Sequence, residues 1–497
     1  MIISLLLACS GGGAEAPGAV EDAVPAVIHS SDTPNVLLVS MDTVRYDHTS
    51  LGGRRNTTPN LAALAKRGET WKAAYAVGNE SLYSHAALFT GRYPSEVALP
   101  DYGSFSLPPT AQTIGKALAA YGYATGAFTG GGHIVASFGF DNGFDTFQAA
   151  PGDTRFGSFF DSVPRATAWI REHGDKPWFA FVHGYDAHSP YVQRGPFHHP
   201  WGARGATPLV EALVADPTAV EELRGNLFFP DRTPQDFVHA AGRTVLGTDF
   251  YTLPAAPQDG ERVVKLSDKE VAHIRDHYDS GLLYADYWLG ELLRTVDLRT
   301  TLVIVVADHG EDVLDHGYMN HRSGLWDSTL HVPLVVAGPG FTAGKVHDEL
   351  VDLRRVLPTI TTAASALLPN GVVARPLQEG GGDPAVFAEG VMDMVSATDG
   401  RGRLTVHDVH LVAGAPELAT RPVADPRMEF GVTGENPAFG ASIPIDQAPA
   451  AAALQAAMVA WRAGLALAVD PGVPVSAELR AALQARGYWA PEERPTR

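Results

Sequence analysis

Two carboxylates and an imidazole stand where the most apolar runs of this chain stop. The run Val36-Leu37-Leu38-Val39-Ser40-Met41 ends at Asp42, and Leu302-Val303-Ile304-Val305-Val306-Ala307 ends at Asp308-His309-Gly310-Glu311. A third run, Trp178-Phe179-Ala180-Phe181-Val182, ends at His183. Apolar stretches of this length are the strands that a parallel sheet buries on both faces. Ligands of open α/β sheets gather at the carboxyl ends of such strands, so the three ends mark one candidate pocket. A lone aspartate after a strand serves equally well as a helix cap. Two strand ends that carry Asp42 and Asp308-His309 point instead to a divalent cation of the zinc, manganese or calcium kind. The chain has one cysteine, so no Cys-rich site is available and the ligands must be oxygen and imidazole.

The elements that must position these groups alternate along the chain. Helical periods run from Pro59 to Arg67, Thr110 to Tyr121, Val163 to Glu172 and Asp268 to Val296. Strands alternating with helices predict an α/β fold. Residues 35–365 read as one catalytic domain, interrupted at about 193–260 by a Pro-, Gly-, His- and Trp-rich insertion that suits a lid or substrate-facing excursion. After Lys345 the pattern weakens. Ala450 to Ala468 and Ser476 to Ala485 read as Ala-rich helices of a smaller C-terminal subdomain, 366–497.

Composition limits the partners. The 497 residues carry 37 basic and 56 acidic side chains, a net charge of −19, with 45% hydrophobic residues. An acidic globular chain without a basic run lacks the clusters that displace counterions from phosphates, which excludes a nucleic-acid binder. The apolar run Ile2 to Ala8 is far shorter than the roughly 20 residues of a membrane-spanning helix. It ends in Leu6-Leu7-Ala8-Cys9, and the polar stretch 10–34 follows as a flexible linker. The pattern resembles a bacterial lipoprotein signal, which implies export to the cell envelope and a lipid anchor at Cys9. The alternative is a frayed apolar terminus with an accidental cysteine.

Beyond these features, the chain resembles the sulfatase family of the alkaline-phosphatase superfamily from about Asn35 to Gly340. The matching pieces are Asp42 to His48, Thr58-Pro59-Asn60-Leu61, Ser81 to Pro94, His183 to Tyr191, Tyr278 to Gly290, Asp308 to Gly317, and Val332-Pro333-Leu334 with Gly338-Pro339-Gly340. The resemblance implies a large, mixed but mostly parallel sheet between helices. It implies Asp42, Asp308 and His309 as ligands of one divalent metal ion, with Ser81 completing the shell and acting as nucleophile. The ion is Ca2+ in a true sulfatase and Mn2+ or Zn2+ in a transferase-like relative.

Typical sulfatases open a Cys/Ser-x-Pro-x-Arg signature with the residue that is oxidised to formylglycine. Here Ser81 takes that position, while Tyr83 and His85 replace the proline and the arginine, so formylglycine formation is doubtful. Relatives resembling phosphoglycerol and phosphoethanolamine transferases use an unmodified threonine, and Ser84-His85 is closer to that branch. Thr43 stands where typical sulfatases carry another aspartate. On the substrate side the resemblance implies His188, His316 and Arg322, with His183 and His133 less firmly matched. His85 is either a base for the nucleophile or a residue of the first turn of a helix beginning near Ser84. Arg45 and Asp47 are expected to pair and brace the turn after the first strand.

Three functions follow. The leading one is hydrolysis of small-molecule or glycan sulfate esters. The second is hydrolysis or transfer of phosphate or phosphonate esters with unmodified Ser81, and the third is non-catalytic glycan binding. The clustered ionisable groups speak against the third, since a pure binder has no need to collect them around a cation.

Overall fold

A computed structural model describes residues 33–53, 55–98, 106–151, 156–174, 176–191, 195–197, 201, 207–215, 227–228, 264–265, 267–315, 319–322, 324–390, 394–406, 409–410, 419–420, 428–432 and 449–468. Cys9 and the linker, most of the 193–260 insertion, His316 and the second Ala-rich segment lie outside the described residues.

Eight strands form the main sheet: β1 (Asn35–Met41), β2 (Glu69–Tyr75), β3 (Ala124–Thr129), β4 (Thr146–Ala149), β5 (Trp178–Gly184), β6 (Thr301–Val306), β7 (Leu334–Ala337) and β8 (Lys345–Asp352). Their order is β8-β2-β7-β6-β1-β5-β3-β4. Only β7 runs against its neighbours β2 and β6. The architecture is thus α/β with a mixed, mostly parallel sheet. Val36, Leu37, Leu38 and Val39 are fully buried because β1 lies between β5 and β6 and is covered on both faces. Register aligns the three central strands: Met41 pairs with Gly184 and Ser40 with Val306, so Asp42, His183 and Asp308 emerge at one level.

Helices pack on this sheet. The first, α1 (Pro59–Ala65), starts against the middle of the long helix α5 (Asp268–Leu293). The buried Asp286 carboxylate accepts hydrogen bonds from Asn60 N (2.8 Å), Leu61 N (2.9 Å) and Asn60 Nδ2 (3.0 Å). The first two are backbone amides that the start of a helix leaves without partners of its own. The Thr58-Pro59-Asn60-Leu61 motif therefore docks a helix rather than serving the site. Asp286→Ala leaves the two backbone amides without this acceptor, while Asn60 Nδ2 keeps its bond to Asp286 O (3.0 Å), and is expected to cost about 2–4 kcal/mol in a denaturation experiment.

A smaller antiparallel sheet follows, in the order β9 (Val386–Gly390), β10 (Met394–Thr398), β11 (Gly402–Val406) and β12 (Met428–Val432). Val395, Ala397, Leu404 and Val406 pack against Ala451, Leu454 and Met458 of a C-terminal helix, Pro449–Gly464. Glu389 ties this sheet to the segment before Ser81. Its amide donates to Val77 O (2.9 Å), and its carboxylate accepts from Ser95 N (2.8 Å) and Ser95 Oγ (2.5 Å).

Burial pushes the Glu389 carboxyl up to about 7 against an ordinary 4.5. An acid whose pKa rises on folding binds its proton more tightly when folded. Its contribution is complete below the unfolded value and is lost as pH rises through about 7, by at most roughly 3 kcal/mol. Glu389→Gln is expected to flatten the melting temperature between about pH 5 and about pH 8.

Candidate active site

The turn after β1 is held in a conformation that a β-branched residue seldom adopts: Thr43 has φ of 58°. Three bonds support it. Thr43 N donates to Asp308 Oδ1 (3.2 Å), Tyr278 OH donates to Thr43 O (2.7 Å), and Arg45 N donates to the same phenol oxygen (3.0 Å). Arg45 pairs with both oxygens of Asp47 (3.0 and 2.9 Å), as expected, and also reaches Glu311 O (3.2 Å) and Asp315. The strand ends at Asp42 and Asp308 are thereby locked to one another. Tyr278 is buried and holds the strained turn with its hydroxyl.

Ser81 is the first residue of α2 (Ser81–Thr90), which begins three residues before the expected start. Glu80 caps the helix by accepting from Leu82 N (2.9 Å). The Ser81 hydroxyl is therefore not the cap. It donates to Asp42 Oδ2 (3.2 Å) and lies 3.4 Å from His309 Nε2. Asp42, Asp308 and His309 each bring one ligand atom within 4.8 Å of the others, and all three are buried.

These groups suit a cation. Asp42 Oδ1 and Asp308 Oδ2 are buried and receive no hydrogen bond from the described residues, which is costly for carboxylate oxygens without a compensating charge. His309 Nδ1 donates to Gly310 O (2.9 Å), which turns the Nε2 lone pair toward the carboxylates. Burial, and next the Asp308 charge, hold the Asp42 carboxyl well above its ordinary range. A divalent ion held here would relieve this repulsion.

The histidines divide by position. His183 Nε2 lies 3.1 Å from Asp42 Oδ2. His85 lies behind the helix start: Nδ1 donates to Ser81 O (2.9 Å) and Nε2 accepts from Ser40 Oγ (3.0 Å), so its ring holds the Ser81 backbone and makes no hydrogen bond to the hydroxyl. His188 stacks on Phe156 with centroids 5.0 Å apart, and its Nδ1 is engaged by Ser189 O. Burial lowers its pKa to about 4, which leaves a neutral imidazole at pH 7.

Two site neighbours, His321 and Glu80, are not evident from the motifs. His321 packs 4.3 Å from His309 and 5.3 Å from His188, centroid to centroid, with Nδ1 3.3 Å from Glu311 Oε1. Pairing of Asp312–Val313 with Met319–Asn320 turns the chain back and delivers it there. Glu80 sits beside the His133 ring, whose Nδ1 is 2.6 Å from Glu80 Oε1. Burial alone raises the Glu80 carboxyl, but His133 and then the buried Arg322 bring it down to about 2. His133 and Arg322 thus share one role here, holding the cap of the helix that starts with Ser81.

The comparisons with known proteins agree on one family. The sulfatase family model matches residues 34–366. The chain is 33% identical to canine arylsulfatase K over 112 residues, 22% of this chain and 21% of that one. With bovine arylsulfatase K it shares 23% over 395 residues, covering 74% of this chain and 69% of the relative. Two solved structures have similar folds. One is the phosphonate monoester hydrolase of Silicibacter pomeroyi, with a TM-score of 0.60, 18% identity, and 86% of this chain and 95% of that one covered. The other is a protein solved with its substrate D-glucosamine-2-N,6-O-disulfate, with a TM-score of 0.64, 15% identity, and 86% and 97% covered.

Proposed function

The chain belongs to the sulfatase family, and from that premise we propose that it is a metal-dependent hydrolase of sulfate esters in which Ser81 occupies the nucleophile position. The observation that carries this is the Ser81 hydroxyl at the first residue of a helix, within 3.2 Å of Asp42 and 3.4 Å of His309. Asp42, Asp308 and His309, with the Ser81 oxygen, would hold the ion. When bound, a divalent cation lowers the pKa of a hydroxyl and draws charge from ester oxygens.

The side chains divide the remaining work. Asp42 Oδ2 accepts the Ser81 proton in its hydrogen bond, and His183 keeps that carboxylate oriented. His85 fixes the Ser81 backbone, and the α2 N-terminus favours negative charge gathering beside it. His321, tilted against His309, and His188, edge-on to His321, are the imidazoles available to a leaving group; His188, neutral at pH 7, accepts or donates a proton at one nitrogen.

A second function rests on the same hydroxyl. With Tyr83 and His85 at the signature positions, an unmodified Ser81 suits phosphate or phosphonate esters, by hydrolysis or transfer. The peptide carrying Ser81 decides: an aldehyde mass, with turnover of an aryl sulfate, supports sulfate chemistry. An intact serine, with turnover of an aryl phosphonate only, overturns it for the second function.

The location rests on the sequence alone. Export and lipid attachment at Cys9 predict that the chain sediments with membranes and that Cys9→Ala releases it or blocks its export, as cell fractionation would read out.

A further inference from the structure

Away from this pocket, we propose a second metal site, of the zinc class, formed by Glu211, His273 and His277. The three come from two helices: α4 (Pro208–Ala215) supplies the carboxylate, and the first half of α5 supplies both imidazoles. Spacing of four residues puts His273 and His277 on one face of α5, one turn apart. Both rings are buried, whereas the Glu211 side chain is 52% exposed.

The donor atoms converge. His273 Nε2 lies 3.0 Å from His277 Nε2 and 3.2 Å from Glu211 Oε1, and all three ligand atoms fall within 4.8 Å of one another. Ligands about 2.0–2.1 Å from a tetrahedral ion stand roughly 3.3 Å apart, which the two shorter separations approach. His277 Nδ1 faces Tyr191 O at 3.3 Å and donates to it, so the Nε2 of His277 carries a lone pair. His273 Nε2 thus faces both that lone pair and the Glu211 carboxylate. A divalent cation between the three would be backed at His277 by the Tyr191 carbonyl, the kind of contact that fixes the tautomer of a ligand imidazole in metal sites. Two imidazoles and one carboxylate are a donor set that suits zinc.

The site has a structural consequence. Thr207 Oγ1 already donates to Glu270 Oε1 (3.0 Å) at the other end of the same contact, so an ion would clamp α4 onto α5 at a second point. Through Tyr191 the clamp also reaches the segment that carries His188, three residues earlier. This inference does not depend on how the pocket at Ser81 is read.

The test is zinc content of the full chain after equilibrium dialysis, with Glu211→Gln and the double variant His273→Gln/His277→Gln compared with the parent, each also combined with Asp308→Ala. The site predicts a loss of about one zinc per chain in either set, whatever Asp308→Ala does alone, and a zinc-dependent rise in melting temperature that these variants lack. Glu211→Gln alters a half-exposed side chain and keeps the test valid if the buried double variant fails to fold. Unchanged zinc content in folded Glu211→Gln would overturn the site and leave a plain histidine–histidine hydrogen bond. If only Asp308→Ala alters zinc content, the active-site ion stands and this one falls.

Discussion

Replacing Asp308 by alanine is expected to remove the active-site ion and turnover together, with a fall in kcat/KM of roughly 10³-fold or more. The size follows from what Asp308 does twice over. One oxygen, Oδ2, is a buried acceptor with no hydrogen bond from the described residues, and the other takes the Thr43 amide at 3.2 Å. Alanine deletes both the anionic ligand and the support for a turn held at positive φ, so Asp42 is left facing His309 across a gap. Asp308→Asn separates the two effects, because its side-chain oxygen still accepts from Thr43 while the negative charge is gone. The metal-binding assignment expects both variants to lose the ion and only the alanine variant to lose stability as well. Elemental analysis, melting temperature and rate on the same preparations read this out. A fully active Asp308→Ala chain without a bound cation would sink the assignment.

What could be read before any fold was known follows from how each element is buried. β1, β5 and β6 sit in the middle of the sheet and are covered on both faces, so their sequences are continuous apolar runs and their ends are legible. β2, with Glu69 and Lys72 in Glu-Thr-Trp-Lys-Ala-Ala-Tyr, and β8, with Lys345, Val346, Asp348 and Glu349 exposed and a register shift between His347 and Leu350, lie toward one edge and carry no such run. Lys345, where the pattern weakens, is therefore the first residue of the edge strand β8.

The same logic governs the site. Asp42, Asp308 and His309 follow legible strands, and they meet because the strand order makes those strands neighbours. His321 arrives through a hairpin of two-residue strands that leaves no periodic signal, and Glu80 is a glutamate in an N-cap position that shorter polar residues usually fill. His85 illustrates the limit of spacing. Four residues from Ser81 on a helix, it can reach the Ser81 carbonyl but not the hydroxyl one turn away on its other side.

The largest effect is expected at Ser81. Ser81→Ala should leave the fold and cation binding in place and reduce kcat by at least about 10³-fold, because removing a nucleophile removes the bond-forming atom itself. The competing role for a serine at a helix start is capping, whose loss costs about 1 kcal/mol of stability and leaves the rate unchanged. Here that role is already filled: Glu80 accepts from Leu82 N at 2.9 Å, and His133 and Arg322 hold Glu80 in its ionised form. The Ser81 hydroxyl points instead to Asp42 and His309. Its deletion therefore removes no helix contact, and the melting temperature should move little. Near-normal kcat with a lowered melting point would reject the nucleophile. A near-normal melting point with kcat at background leaves the hydroxyl, modified or not, as the atom that attacks the ester.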